Sequence, residues 1–277
     1  MSIPQDTPGP APGPWGAAAP QTGPDPSPNP NRSISGLAMG LITVWAATWA
    51  ALGLMPQPPK VLTFAFVISG WILALSAHEF CHAWVADRGG DTTVEGRGYL
   101  TLNPLKYADP FMSIVIPVLV LAIGGIGFPG GAVYLRPDLM RSRLWRSAAS
   151  LAGPGGTLAV LLGLSAAMAL MQATGFSGAA GPAVALLAFL QATALVLNLL
   201  PIPGFDGFGA LRPYIPPRVQ LALLPVQRVA ALLFIAALLW FPPLSVVLFG
   251  VAELLCALLG ISPQLILDGL KSFQFWN

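Results

Sequence analysis

Six apolar segments, each close to the length of a bilayer-spanning helix, decide what this chain can become. They run approximately Gly36–Met55, Val61–Val85, Ala148–Met171, Pro182–Leu200, Leu221–Phe241 and Leu244–Leu259. About 20 mostly apolar residues are needed for a helix to cross the hydrocarbon core. A seventh segment, Phe111–Phe128, is shorter and is broken by Pro117, Gly124, Gly125 and Gly127. Only 9% of the 277 residues are charged and 55% are hydrophobic, where a soluble domain carries roughly 25% charged residues. Such a chain cannot cover a water-facing surface, so lipid is its expected solvent. The expected fold is an all-α polytopic membrane protein with about six transmembrane helices plus a re-entrant hairpin at 111–128.

The ends are of a different kind. Ten of the 29 prolines fall between Pro4 and Pro30, with only Asp6, Asp25 and Arg32 charged before residue 34. Residues 1–33 are too poor in apolar side chains to build a core and read as a disordered tail. They lack the basic start and apolar centre of a signal peptide. The transmembrane domain is expected over 34–262, followed by a short C-terminal tail, 263–277. Cys81 and Cys256 both lie in apolar segments, which excludes a disulfide framework and leaves them as small buried hydrophobes. A net charge of +2, with no long run of Lys and Arg, excludes nucleic acid as a partner.

Basic residues orient the spans, because cytoplasmic loops are enriched in Lys and Arg. Arg32 precedes the first span. Arg88, Arg97 and Lys106 follow the second, Arg136, Arg141, Arg143 and Arg146 precede Ala148, and Arg212 and Arg218 follow Leu200. Residues 172–181 and 242–243 carry no charge. These loops agree with a cytoplasmic N-terminus if 111–128 enters and leaves on one side; the alternative is a full seventh span, which would leave one basic loop outside. Non-helical backbone at that depth needs cover from protein or a watery cavity.

The chemistry begins at the end of the second span, where His78-Glu79-Phe80-Cys81-His82 reads H-E-x-x-H. On a helix, residues four apart share a face, so both imidazoles can reach one ion, with Glu79 one step round. Zinc suits such a site: it accepts imidazole nitrogen and a carboxylate and keeps a fourth position open. His78 and His82 are the only histidines of the chain. Ionisable groups inside an apolar helix are costly and mark function. A third ligand is needed, and Asp206, just past the fifth apolar span, is the candidate. Pro201 and Pro203 stop that helix, and Gly207 lets the chain turn. The competing reading of Asp206 is an ordinary Asp-Gly turn.

Taken together these residues resemble the site-2 protease family of intramembrane zinc metalloproteases. That family pairs H-E-x-x-H with a later N-x-x-P-x-P-x-x-D-G, which here runs unbroken from Asn198 to Gly207. The stretch Gly98–Pro110 and Ala152-Gly153-Pro154 also look like family segments, so the resemblance covers about 61–215. It implies one zinc per chain held by His78, His82 and Asp206 within the helix bundle, with Glu79 as catalytic base. Asn198 becomes a candidate for substrate binding or oxyanion stabilisation. The implied partner is a transmembrane protein substrate in the lipid bilayer. The implied location is a bacterial plasma membrane, with the N-terminus and active site toward the cytoplasm. Three departures stand out: Thr157 where the family often has Asn, Gly204-Phe205 in place of Pro-Leu, and Phe208 in place of a second Gly. They are expected to alter the substrate channel more than the metal site.

Other motifs carry less. Gly125–Gly130 matches G-x-G-x-x-G, but no strand precedes it and Pro129 interrupts, so no nucleotide cofactor is expected. Gly36 and Gly40 match G-x-x-x-G and read as ordinary small-residue packing. Arg141–Arg146 can hold anionic headgroups, although orientation explains it as well. The alternative functions are a membrane transporter and a catalytically silent scaffold. A transporter would spread charges over several helices and show internal repeats, and neither is visible. A silent scaffold would be expected to have lost one of the four site residues.

Overall fold

Apolar runs that must satisfy their own backbone become helices, and the structure is helical throughout its described part. The computed structural model describes residues 35–107, 133–176 and 178–276. Eight helices carry the architecture: α1 (Gly36–Leu54), α2 (Lys60–Gly89), α3 (Arg143–Thr174), α4 (Ala180–Asn198), α5 (Asp206–Leu211), α6 (Pro217–Trp240), α7 (Pro242–Leu258) and α8 (Pro263–Phe273). Single helical turns lie at Thr93–Gly96, Pro104–Tyr107 and Arg212–Tyr214. The helix ends follow from local chemistry. Ser35 and Ser142 cap α1 and α3 by accepting from the amides of Ala38 and Trp145. Gly90 (φ 117°) closes α2 in the left-handed region that glycine adopts without strain.

Among the described residues, α1, α2, α3 and α4 are long and apolar enough to cross a membrane. α7 and α8 are bent by 115° at their junction and make a fifth candidate only if taken as one span. α7 alone has 17 residues. α6 covers the expected 221–241 segment. The expected hairpin at 111–128, the Pro-rich tail and the G-x-G-x-x-G match lie outside the described residues. Among the described residues nothing lies near a Cβ at Gly36 or Gly40, so G-x-x-x-G makes no close helix contact with them.

α4 is the centre. It is apolar all round, as a helix surrounded by others must be, and it is buried along nearly its whole length. α1, α2, α3, α7 and α8 pack around it. α1 lies against α2, with Trp45 stacked on Phe66 at 5.6 Å. α8 is amphipathic: Ile266, Gly269 and Phe273 are buried while Leu267 and Lys271 face out. A Cβ at Gly269 would come within 2.2 Å of the Pro182 carbonyl, so only glycine lets α8 lie this close to α4. α2 and α3 meet through a similar device. A Cβ at Gly156 would sit 2.8 Å from Cys81 Sγ and 3.3 Å from the Ala77 carbonyl. Small residues are what allow two helices to approach this closely where no hydrophobic effect drives them together.

Three connections share one end of the bundle. The amide of Arg141 donates to the carbonyl of Gly89, joining the start of α3 to the end of α2. Ser147 Oγ donates to the carbonyl of Ala210 in α5. The opposite loop between α1 and α2 carries a single cation, Lys60.

Candidate metal centre

His78 and His82 lie one turn apart on the buried face of α2, 5% and 6% exposed. Their Nε2 atoms approach to 3.1 Å. Each ring is fixed from behind by α3. His82 Nδ1 lies 2.7 Å from the carbonyl of Ala149. A carbonyl only accepts, so Nδ1 carries the proton and Nε2 of the neutral ring presents a lone pair to the site. His78 Nδ1 lies 2.9 Å from Thr157 Oγ1.

Asp206 arrives from the far end of α4. That helix stops at Asn198, the prolines carry the chain away, and Gly204 (φ 104°) turns it back. Gly207 then presses on the end of α4, where a Cβ would meet the Leu199 carbonyl at 2.3 Å. Asp206 opens α5, and its carboxylate faces both rings: Oδ2 is 3.2 Å from His78 Nε2 and Oδ1 is 3.3 Å from His82 Nε2. Oδ2 is buried and has no well-aligned hydrogen bond.

Three lone-pair donors thus converge, one ligand atom from each lying within 4.8 Å of the others. Acceptors facing one another at this spacing call for a cation. Four ligands placed tetrahedrally about 2.05 Å from zinc are separated by about 3.3 Å along each edge. The two Nε2 atoms, 3.1 Å apart, lie near that edge length, and each has a different oxygen of Asp206 at 3.2–3.3 Å. The remaining wall is Gly153 of α3, where a Cβ would fall 2.2 Å from His82 Nε2 and 2.6 Å from His78 Nε2. The donor set and the room beside it both fit zinc.

The chain is 45% identical over 236 residues to Rip2 of Mycolicibacterium smegmatis, named as a candidate zinc metalloprotease, a match spanning 84% of this chain and 88% of that protein. It is 43% identical over 244 residues to the Rip2 of Mycobacterium tuberculosis, spanning 86% of this chain and 92% of the relative. YwhC of Bacillus subtilis, named in the same terms, is 29% identical over 176 residues, 61% of this chain and 78% of that protein. This chain belongs to the site-2 protease family of zinc metalloproteases. No family model matches it, and no solved structure does.

Set against the site-2 protease expectation, His78, His82 and Asp206 come together. Glu79 is 4% exposed, and its Oε2 accepts from the amide of Val133 at 3.2 Å. Asn198 is buried at the last residue of α4, and its side chain is not hydrogen-bonded to the three donors. Thr157 corrects one expectation. This departure from the site-2 protease pattern touches a candidate ligand, His78, and not only the space around it.

Sequence reasoning missed the supports. Residues 133–136 form an irregular strap held at three points. Besides the Val133–Glu79 bond, Arg97 Nη1 donates to the Tyr134 carbonyl at 2.7 Å. The amide of Arg136 donates to Asp91 Oδ2 at 2.6 Å. Asp91 is fully buried and also accepts from the amide and hydroxyl of Thr93. A buried carboxylate with that many donors fixes backbone, and here it fixes the backbone that touches Glu79. The readable signals were Asp91-Thr92-Thr93, an Asx-turn pattern, and the glycine of Ala152-Gly153-Pro154.

Proposed function

We propose that this protein is an intramembrane endopeptidase that hydrolyses a peptide bond in or beside a transmembrane segment of another membrane protein. His78, His82 and Asp206 hold one zinc per chain, and Glu79 is the general base. The observation that carries the reading is the convergence of two buried imidazoles and the partly buried Asp206 carboxylate beside a buried glutamate. Held by His78, His82 and Asp206, a zinc ion would supply Lewis-acid polarisation of the scissile carbonyl and would acidify water at the site.

The remaining work falls to the chain. Thr157 and the Ala149 carbonyl hold the two imidazoles so that Nε2 of each faces inward. The Val133 amide anchors Glu79 Oε2 and leaves Oε1 to take the proton of the attacking water and return it to the leaving amine. Asn198, at the mouth formed by the end of α4, orients the substrate or stabilises the developing oxyanion. α2 ends, α3 starts and α4 ends around this point, which supports placing the site near one membrane face. The basic loops support reading that face as cytoplasmic, and a bacterial plasma membrane is the proposed location. A six-span arrangement with a re-entrant 111–128 would keep the loops on either side of that segment on the same face, and the Arg141–Gly89 bond supports that reading.

Two measurements test the reading. Purified wild-type protein should contain about one zinc per chain, and the double variant H78A/H82A should contain none; wild-type zinc in that variant refutes the site. E79Q should keep its zinc and slow cleavage of a co-expressed membrane substrate by roughly 10²–10⁴-fold, the usual worth of general-base help. Zinc retained together with wild-type cleavage removes Glu79 as the base.

A further inference from the structure

The arginines around the start of α3 take no part in the proposed reaction, yet they are gathered around a partly open cavity. A cavity of about 430 Å³ lies between the N-terminal end of α3, the connection from α5 to α6, and residues 135–140. That volume is typical of a small-molecule site. Arg143, Arg146 and Arg212 line it, and so do Leu135, Met140 and Leu221. No Asp or Glu is among its described lining residues. Asp138 is close enough for Arg146 to act on its charge. It is, however, occupied by Arg136 through a forked pair of bonds, Nε to Oδ1 at 3.0 Å and Nη2 to Oδ2 at 2.7 Å. Arg146 Nε is shut off from solvent without a hydrogen-bond partner. A guanidinium donor left without an acceptor costs the desolvation of that group, and an anion is what would offset it. Burial lowers Arg212 to about 10, which leaves it charged at neutral pH.

The position and the two-sided lining narrow the anion. α3 is a candidate membrane span that begins at Arg143, so the cavity lies at the end of the bundle where headgroups would be. Leu135 and Met140 back the cavity from a hydrophobic cluster, and the exposed Leu221 gives it an apolar edge that inorganic phosphate would leave uncovered. Basic pockets between helices at a membrane face are the usual setting for anionic lipid headgroups. We propose that this cavity seats the phosphate headgroup of an anionic membrane phospholipid, with the arginines on the phosphate and the apolar residues along the first carbons of its chains. The floor of the cavity includes Ser150 and Gly209, packed so tightly that a Cβ at Gly209 would lie 2.9 Å from Ser150 Oγ. Gly209 is one turn along α5 from Asp206. The lipid therefore rests on the short helix that carries a candidate zinc ligand.

The test reads lipid and not proteolysis, so it stands apart from the proposed function. Full-length protein, purified in neutral detergent, is titrated with phosphatidylglycerol or phosphatidylcholine and bound lipid is counted by native mass spectrometry. Wild type should hold one phosphatidylglycerol per chain in preference to phosphatidylcholine. Each arginine removed should weaken it about fivefold, so R146Q/R212Q should lose most of it. R143Q alters an exposed side chain, so it reports even if the double variant does not fold, and it should show the single step. R218Q, outside the cavity lining, should bind as wild type. Equal retention of the two lipids, undiminished phosphatidylglycerol in R143Q, or an equal loss in R218Q overturns the site. Displacement of the lipid by millimolar inorganic phosphate, with equal thermal stabilisation by phosphate alone, would assign the cavity to a free phosphate and refute the lipid.

Discussion

Replacing Gly153 by alanine adds one methyl group at the point where the two imidazoles meet. The new Cβ would lie 2.2 Å from His82 Nε2 and 2.6 Å from His78 Nε2, where a relaxed contact needs about 3.5 Å. The rings or the two helices must therefore separate by about 1 Å. A zinc site tolerates about 0.2 Å. Helix separation is resisted by Gly156 packed on Cys81 and the Ala77 carbonyl, so the rings take most of the shift. His82 would then leave the Ala149 carbonyl and His78 would leave Thr157. Loss of such supporting bonds alone costs roughly 10–100-fold in metal affinity. Displacing both ligand nitrogens should cost at least 100-fold, about 2.7 kcal/mol. Gly155 is the control: it lies on the same helix with nothing near its Cβ, and alanine there should change stability by no more than about 1 kcal/mol. Zinc per chain, measured by elemental analysis of purified protein with thermal unfolding alongside, should fall below one-tenth in G153A and stay at wild type in G155A. Wild-type zinc in a folded G153A would refute the geometry argued for the centre.

Three further outcomes follow from neighbouring contacts. T157V removes the oxygen facing His78 Nδ1 at nearly constant volume, and zinc affinity in a competition titration should drop about 10–100-fold, with T157S restoring most of it. D91A leaves the Arg136 amide without its carboxylate, which should lower stability by about 1.5–3 kcal/mol. It should also reduce turnover without loss of zinc, because the strap seating Glu79 is loosened; zinc loss instead would place Asp91 with the metal. Single cysteines at Thr92 and Ser142, in a background without Cys81 and Cys256, should label from the same side of the membrane. Labelling from opposite sides would mean that 111–128 crosses.

The site was legible where one helix supplies the geometry. His78 and His82 can be paired from spacing alone, because a helix of fixed pitch brings i and i+4 together whatever surrounds it. Asp206 was legible only with the longer pattern, since its approach depends on how α4 stops and how Gly204 and Gly207 fold the chain back. Thr157, Ala149 and Gly153 were not legible as parts of the centre. They reach it from another helix, and which residues of α3 meet α2 is set by the tight Gly156 contact, a fact of packing. The strap escaped for the same reason: Val133 is 54 residues from Glu79 in the chain. The helices themselves were read from hydropathy, yet length alone could not rank them. α7 has 17 residues and is bent sharply against α8, so whether it counts as a span depends on its neighbour.

The hydroxyl groups show how a lipid-dissolved bundle separates structure from chemistry. Thr48, Ser69, Ser76, Thr174 and Thr193 each donate to a carbonyl one turn back in their own helix. That local bond satisfies the group where no water can, and it ties these residues to nothing else. The exceptions reach across. Ser147 holds the Ala210 carbonyl, Ser165 holds the Leu259 carbonyl at the end of α7, and Thr157 meets His78. All three lie on α3. This helix therefore braces α5 behind Asp206, braces the break between α7 and α8, and sets one imidazole. In a membrane, a hydroxyl that forgoes its own helix must find its partner elsewhere in the protein, so such residues mark where the fold is being held to a fixed geometry. The centre is braced because α3 supplies the Thr157 contact, the Ala149 carbonyl and the bare edge of Gly153 from about two turns of helix. A change that slides α3 along α2 by one residue would remove all of them together.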